Sequence, residues 1–243
     1  TFVLFENYVS LFKNGYFQQA VWNTILFTIL AVIFEMGFGL VVVIFVNSLK
    51  RGQKDMRTLL LLPYLLPAVT VALSWRMMLS ANYGIINQVL KALNLPVYNW
   101  FMDTKTAFGT ILLIDVWQNV PFVFLLLYAS LQSVSENQYE AARIDGAGFL
   151  QQFWYVTLPM MKPQLLLSAV LSITGSFGVG DVITNLCGFP STNYAVHTIM
   201  NHLSDYGTTR YEMGYACTLA TILFLMMIFC NSVIRKLLKS VGT

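Results

Sequence analysis

Hydrophobic residues run in long blocks along this chain, separated by short polar stretches. A membrane-spanning helix needs about 20 mostly apolar residues, and about five runs reach that length. They are Ala20–Val46, Thr58–Ser80, Ala107–Leu131, Gln164–Val182 and Met213–Ile234. The first is long enough to tilt. The second carries Pro63 and Pro67, which predict a kink or unwound backbone near its start. The fourth holds Gly175, Gly178 and Gly180 toward its end, a sign of close packing or irregular backbone. Between the second and third runs, Ile85, Ile86, Val89, Leu90 and Leu93 fall at helical spacing. The pattern predicts a short amphipathic helix at the membrane surface within residues 81–105, closed by Trp100 and Phe101 as interfacial aromatics. Residues 184–212 are polar and read as a loop or a cap. No internal repeat is evident.

Composition changes this picture from plausible to firm. Hydrophobic residues make up 57% of the 243 positions and charged residues only 10%. Soluble domains average about 25% charged residues, so the apolar excess must face something other than water. A cytosolic enzyme, a disordered chain and a nucleic-acid binder are excluded; the net charge of +3 is too small and too scattered to neutralise a phosphate backbone. The three cysteines, Cys187, Cys217 and Cys230, lack metal or redox spacing and read as small apolar residues in helices. His197 and His202 stand five apart, which does not stack them on one helical face, so no metal site is expected.

Basic residues set the expected orientation. One set of segments holds Lys50, Arg51, Lys54, Arg57, Arg143, Lys162, Arg235, Lys236 and Lys239, and the other only Lys13, Lys91, Lys105 and Arg210. Positive-inside bias places the first set in the cytoplasm. The expected division is an extracytoplasmic lead-in over residues 1–19, a membrane domain over 20–234 with a cytoplasmic loop at 132–163, and a cytoplasmic tail over 235–243. About five spans with a cytoplasmic C-terminus leave Thr1 outside, so a further helix upstream is expected.

The cytoplasmic loop carries the most information. Ser135 followed by Gln138 is a capping-box pattern, so a helix is predicted to begin near Glu136. Ala141 and Ala142 favour it, and Gly146 and Gly148 end it or allow a tight contact. Leu158-Pro159 is expected to break the chain before the next span. A short helix, small on one face and charged on the other, suits docking on a soluble partner.

Glu140-Ala141-Ala142, Gly146 three residues on, and Leu158-Pro159 resemble the EAA loop of ABC-importer permeases, EAA-x3-G-x9-I-x-LP. The spacing matches throughout, with Val156 where isoleucine is usual. Asp145-Gly146-Ala147 resembles the IDGA variant of carbohydrate permeases. Leu62-Pro63-Tyr64, Pro67, Trp75, Gly84, Asn87, Trp100 and the stretch Trp117 to Pro121 are similar to membrane subunits of maltose-type importers, so the likeness covers nearly the whole chain. It implies an all-α type I ABC importer transmembrane domain in a bacterial inner membrane. It further implies a second related permease, two cytoplasmic ATPase subunits and an extracytoplasmic sugar-binding protein. On that likeness Glu140 makes polar contact with an ATPase, Ala141, Ala142 and Gly146 permit a close fit, and Arg143 and Asp145 orient the helix. The chain has no GxxxxGK loop, so ATP and magnesium are expected on the partner ATPase, with no cofactor in this chain.

Ionisable residues within a bilayer cost about 2.5–3.5 kcal/mol each on insertion scales and are functional candidates. Glu35 lies midway along the first span and reads as helix–helix pairing. Asp115 lies in the third span among Trp117, Gln118 and Asn119. Carboxylate, amide and indole together are what a sugar site needs, because amides and carboxylates meet hydroxyls and an aromatic face covers the ring. The family likeness implies sugar-lining roles at Tyr64, Ala68, Asp115, Gln118 and Asn119, although Ala68 has no polar side chain. Asp181, near the outer end of the fourth span, is a further candidate, and Arg76 can snorkel outward.

Two rivals stay open at this level. Gly178-Val179-Gly180-Asp181 spells the GxGD motif of intramembrane aspartyl proteases, with Asp115 as nominal partner, though Ile114 stands where those enzymes carry tyrosine. A non-transporting structural membrane subunit is the other.

Overall fold

The computed structural model describes residues 5–189 and 191–240, with the side chains of 237–240 left aside. The first four residues of the expected lead-in, Pro190 and the last three residues of the expected tail lie outside the described residues. All regular structure among the described residues is helical: α1 Glu6–Lys13, α2 Gly15–Ser48, α3 Gln53–Leu65, α4 Ala68–Met78, α5 Ile85–Ala92, α6 Ala107–Gln132, α7 Glu136–Ile144, α8 Phe149–Gln152, α9 Leu158–Phe177, α10 Gly180–Cys187, α11 Ile199–Ser204 and α12 Met213–Ser240. Stretches Phe153–Thr157 and Asp205–Thr209 are wider π turns.

Four continuous helical stretches are long and apolar enough to cross a membrane: α2, α6, residues 149–177 and α12. The pair α3–α4 is together long and apolar enough for a fifth span, bent by 93° where the two helices meet. The bend expected from Pro63 and Pro67 is present, at the second of the two prolines. Pro63 is accommodated inside α3, and the break falls at Leu66-Pro67, where Leu66 is extended at φ −79° and ψ 136°. Proline disfavours the helical region for the residue before it, so Pro67 ends α3, then starts α4 with its preset φ.

The fourth run also differs. Leu158-Pro159 does not break the chain: the π turn at Phe153–Thr157 feeds directly into α9, with the Leu158 amide donating to the Phe153 carbonyl. Proline early in a helix loses no needed donor, and the wider turn before it takes up the change in register. At the other end α9 stops at Phe177, and the chain turns through 178 and 179 into α10.

At about 1.5 Å per residue α2 spans roughly 51 Å, more than the ~30 Å hydrocarbon core, so it must tilt or project. Its buried positions, among them Ala20, Thr24, Phe27, Ala31, Glu35 and Val43, follow the 3–4 spacing of one helix face. That face packs along α6, where a Cβ at Gly39 would sit 2.6 Å from Val123 Cγ1. Two apolar clusters fill the α2–α6 seam. One gathers Phe27, Ala31, Val71, Ile111 and Ile114. The other gathers Val43, Val123, Phe124, Leu127 and Met161. Glu35 and Asp115 lie between them along the chain.

Of the two readings of residues 184–212, loop or cap, the described residues form the cap. α11 and its π turn pack on α2 and α12, and Thr198, Asn201, His202 and Asp205 are buried. Asn23 of α2 donates to the carbonyls of Tyr194, Ala195 and His197 at 3.0–3.2 Å. We call this the cap end; α7 lies at the opposite end. Within 81–105 the amphipathic helix is present as α5, but Phe101 is buried and Trp100 donates to the buried Asn87 at 2.9 Å, so both close a core rather than an interface.

Candidate functional site

α7 is held away from the bundle. Its Tyr139 hydroxyl meets Thr157 Oγ1 at 2.9 Å, while Glu140, Ala141, Arg143, Asp145 and Gly146 are exposed and Ala142 is half-buried. The helix begins at Glu136, as expected, but the capping box does not form: the Ser135 side chain makes no cap bond, and the Gln138 amide donates to the Ser135 carbonyl instead. Glu136 near the N-terminus and Arg143 in the last turn suit the helix dipole.

The other end shows why glycine stands where it does. Gly146 has φ +79°, its amide donates to the Arg143 carbonyl at 3.0 Å, and the Ala147 amide donates to the Ala142 carbonyl at 2.9 Å. Those two bonds with a left-handed residue are the Schellman motif. A Cβ at Gly146 would meet nothing within 4 Å, so within this chain the need for glycine is conformational rather than steric. Leu158 and Pro159 follow one strand of contacts later: Leu158 is half-buried, Pro159 exposed, at the start of α9.

Exposed apolar side chains stand on α7 and in the segment that follows it: Ile144 at 87%, Phe149 at 71%, Leu150 at 68% and Tyr155 at 81% exposure. Glu140, Arg143 and Asp145 form no ion pair among the described residues. An exposed charged helix edged by large apolar groups is a surface shaped for a partner.

A second candidate surface opens along α2, α3 and α6. A cleft of about 760 Å³ is lined by Phe34, Phe38, Leu59, Pro63, Trp117 and Pro121, among others. Tyr64 lies at its edge, stacked on Phe122 with ring centroids 5.3 Å apart. Trp117 meets Trp75 edge-on at 5.5 Å. Gln118 Nε2 donates to the Leu66 carbonyl at 3.3 Å, satisfying a backbone group freed by the break between α3 and α4. Tyr64, Trp117 and Gln118 therefore gather around the bend.

The remaining sugar-site candidates do not join them. Asp115 is buried, with Asn119 Nδ2 donating to its Oδ1 at 3.1 Å. Asp181 lies on the exposed face of α10, whose neighbour Asn185 accepts from Arg76 at 3.4 Å. Asp115 and Asp181 are not brought together, so the paired carboxylates of an aspartyl protease are not formed.

The cap end holds a network that sequence spacing concealed. His197 Nε2 and His202 Nδ1 lie 3.1 Å apart, and Ser191 Oγ lies 3.3 Å from His197 Nδ1. The histidines do not share a helical face, yet the turn before α11 brings them together. Burial pushes His197 down to about 3, with His202 and Arg210 adding to the effect, and burial followed by Arg210 pushes His202 down to about 4. Asp205 pairs with Arg210 at 2.7 Å beside them. No group of three or more metal-ligating side chains occurs among the described residues.

Three comparisons bear on this arrangement. Residues 37–240 match the family described as binding-protein-dependent transport system inner membrane component. The trehalose/maltose transport system permease protein MalF of Thermococcus litoralis is 30% identical over 225 residues, covering 93% of this chain and 76% of that protein. The sulfoquinovosyl glycerol transport system permease protein SmoG of Agrobacterium fabrum is 29% identical over 98% of this chain and 77% of its own length. In fold, the chain superimposes with a TM-score of 0.87 and 22% identity on a chain of a bacterial ABC transporter for the acidic polysaccharide alginate, covering 97% of this chain and 84% of that one.

Proposed function

The chain belongs to the family of binding-protein-dependent transport system inner membrane components, and from that premise we propose that it is the permease subunit of a carbohydrate importer. The fold is that of a type I ABC importer transmembrane domain. The sugar-transport names of its relatives support the substrate class. In this reading the chain forms the translocation path with a second, related permease. It receives sugar from an extracytoplasmic binding protein at the cap end and docks two ATPase subunits at α7. ATP and magnesium act on those partners. The C-terminus lies in the cytoplasm with α7, as the basic residues of both segments favour.

The observation that carries the proposal is α7 itself: an exposed helix with a Schellman C-cap, charged groups with no ion pair among the described residues, and exposed apolar side chains on it and just after it. Glu140 provides the polar contact, Ala141 and Ala142 keep the approach close, and Gly146 fixes the direction in which the chain leaves the helix. Arg143 and Asp145 hold orientation, and Leu158-Pro159 joins the coupling segment to α9. ATPase closure would thus be transmitted straight into a long span, because no break separates the π turn from α9.

The sugar path takes Tyr64, Trp117 and Gln118 at the bend, where aromatic faces and an amide are available to a sugar ring. Asp115 and Asn119 support this surface from inside the bundle, and Asp181 stands on the entry side with Arg76. The test is uptake in membranes containing the assembled transporter. Glu140→Lys is expected to abolish uptake while the chain still inserts, and normal uptake in that variant would remove the coupling role.

A further inference from the structure

The segment between α4 and α6 carries an apolar surface that neither the coupling helix nor the sugar path uses. α4 ends at Met78, α6 begins at Ala107, and α5 lies between these two helix ends. It is pinned to both. The Gly84 amide donates to the Ser80 carbonyl at 3.0 Å, so closely that a Cβ at Gly84 would fall 2.5 Å from that oxygen. Buried Asn87 donates to the Ser80 carbonyl at 3.3 Å and to the Tyr98 carbonyl at 2.9 Å, besides accepting from Trp100. The Thr106 hydroxyl, just before α6, donates to the Trp100 carbonyl at 3.3 Å. α5 is therefore held beside the cap-end termini of α4 and α6, the level at which hydrocarbon gives way to headgroups.

Helical spacing gives α5 three surfaces. Asn87 is buried, and Ile86 and Leu90 are half-buried, with Ile86 against the cluster that contains Ile111 and Ile114. The exposed remainder divides in two. Ile85 and Val89, with Leu93 at the C-cap, stand four apart and are 60%, 52% and 64% exposed. Gln88 and Lys91, also exposed, fall on the other side of the helix. Apolar and polar surfaces running side by side are the mark of a helix lying in the plane of a bilayer interface.

Three features choose lipid as the occupant. Exposed Tyr83 and Tyr98 flank the helix, Tyr98 resting on Trp100 with centroids 5.3 Å apart, and exposed tyrosines suit headgroup level. From residue 77 through 102 the only charge is Lys91, whose stem can lie on apolar surface while its ammonium reaches a lipid phosphate. α4 exposes Leu73 and Met77 toward the same end, so exposed apolar side chains run along the chain from the span into α5. A soluble partner that comes and goes would leave this stripe facing water.

We propose that α5 is an interfacial anchor: Ile85, Val89 and Leu93 sink into the outer-leaflet boundary and Lys91 meets lipid phosphate. The anchor fixes the depth of the cap-end termini of α4 and α6. It rests on the reading of the chain as a membrane subunit with the cap outside, and is independent of the substrate carried.

The test attaches a nitroxide at Val89→Cys, Leu93→Cys or Gln88→Cys of the assembled transporter, its other cysteines replaced, in discs of phosphatidylethanolamine and phosphatidylglycerol. Collision with oxygen, which partitions into lipid, is compared with collision with a water-soluble nickel chelate. Labels at Val89 and Leu93 should favour oxygen several-fold more than the label at Gln88, at a depth of about 5–10 Å into the headgroup and acyl boundary. The two stripe positions keep the test decisive if one substitution prevents assembly. Stripe labels that favour the chelate as Gln88 does would overturn the proposal by placing α5 in water. Stripe labels shielded from both reagents would overturn it in favour of the second permease. Shielding that appears only when the binding protein is added would overturn it in favour of that protein. Lost sugar uptake with the depth pattern intact would support the anchor and count against the substrate reading alone.

Discussion

The proposed coupling helix α7 and the buried carboxyls Glu35 and Asp115 are both polar features of an apolar molecule, and they are encoded in opposite ways. α7 is specified within a dozen consecutive residues: Glu136 at the positive end of the helix dipole, Arg143 at the negative end, and Gly146 in the left-handed conformation that closes the last turn. Its function needs exposure, and its fold asks little of the bundle. Glu35 and Asp115 come from different spans, and their burial is set by the packing of α2 on α6. A change at α7 should therefore damage coupling and spare the bundle, while a change at the buried carboxyls should alter the bundle and spare docking.

The largest effect expected at α7 alone is that of Glu140→Lys. Reversing a charge at a partner contact costs about 3 kcal/mol, so sugar uptake should fall by about a hundredfold. The melting temperature of the membrane domain should stay within about a degree, since Glu140 is exposed and forms no ion pair among the described residues. A large drop in melting temperature would erase the separation between the two regions.

Next comes Gly146. A β-branched residue forced into the left-handed region costs roughly 1–2 kcal/mol. Gly146→Val should frayed-end the helix and lower uptake about tenfold, whereas Gly146→Asn, which tolerates that conformation, should retain most of it. Equal loss in both variants would make side-chain bulk at a partner surface the reason for glycine, not backbone conformation. Kinetics of uptake across sugar concentrations would read the difference.

Smaller effects are expected at the bend. Aromatic contacts contribute about 0.5–1.5 kcal/mol beyond area burial, so Tyr64→Ala or Trp117→Ala should raise the KM for sugar about two- to tenfold. ATPase docking, followed by co-purification, should be unchanged. Unaltered KM in both would move the sugar surface away from the break between α3 and α4.

The smallest change is a pH effect confined to the cap. His197 and His202 have folded values of about 3 and 4 against an ordinary 6.5. The unfolded chain takes up these protons first, so cap stability is complete above about 6.5 and declines as pH falls through the window toward 4. Hydrogen exchange of α11 amides should accelerate across that window, while α7 amides should not respond. His202→Gln should shift or flatten the acid response.

How much of this was legible beforehand follows the same division. The apolar runs located every span, because a hydrocarbon core of fixed thickness demands long apolar segments and their length is written in one dimension. The coupling helix was legible because its start and its C-cap are local. The bend was anticipated from Pro63 and Pro67, but not which proline makes it: both are compatible with a helix, and only the extended Leu66 decides. Leu158-Pro159 was expected to interrupt the chain, and the π turn that absorbs it has no sequence signature of its own. His197 and His202 do not share a helical face, and their contact at 3.1 Å comes from the turn ahead of α11, which helical spacing does not encode. Asp115 and Trp117 were read together as sugar-site candidates, yet the structure buries Asp115 and exposes Trp117, because neighbours on a helix face different directions.

The most direct measurement of the central claim is affinity purification of the intact chain from its native membrane, wild type beside Glu140→Lys, with mass-spectrometric quantification of what accompanies each. The account predicts that the wild type brings a second permease and an ATPase bearing a GxxxxGK loop. It predicts that Glu140→Lys keeps the permease and loses most of the ATPase. An ATPase recovered equally with both would contradict it, because α7 would then not be the place where the two meet.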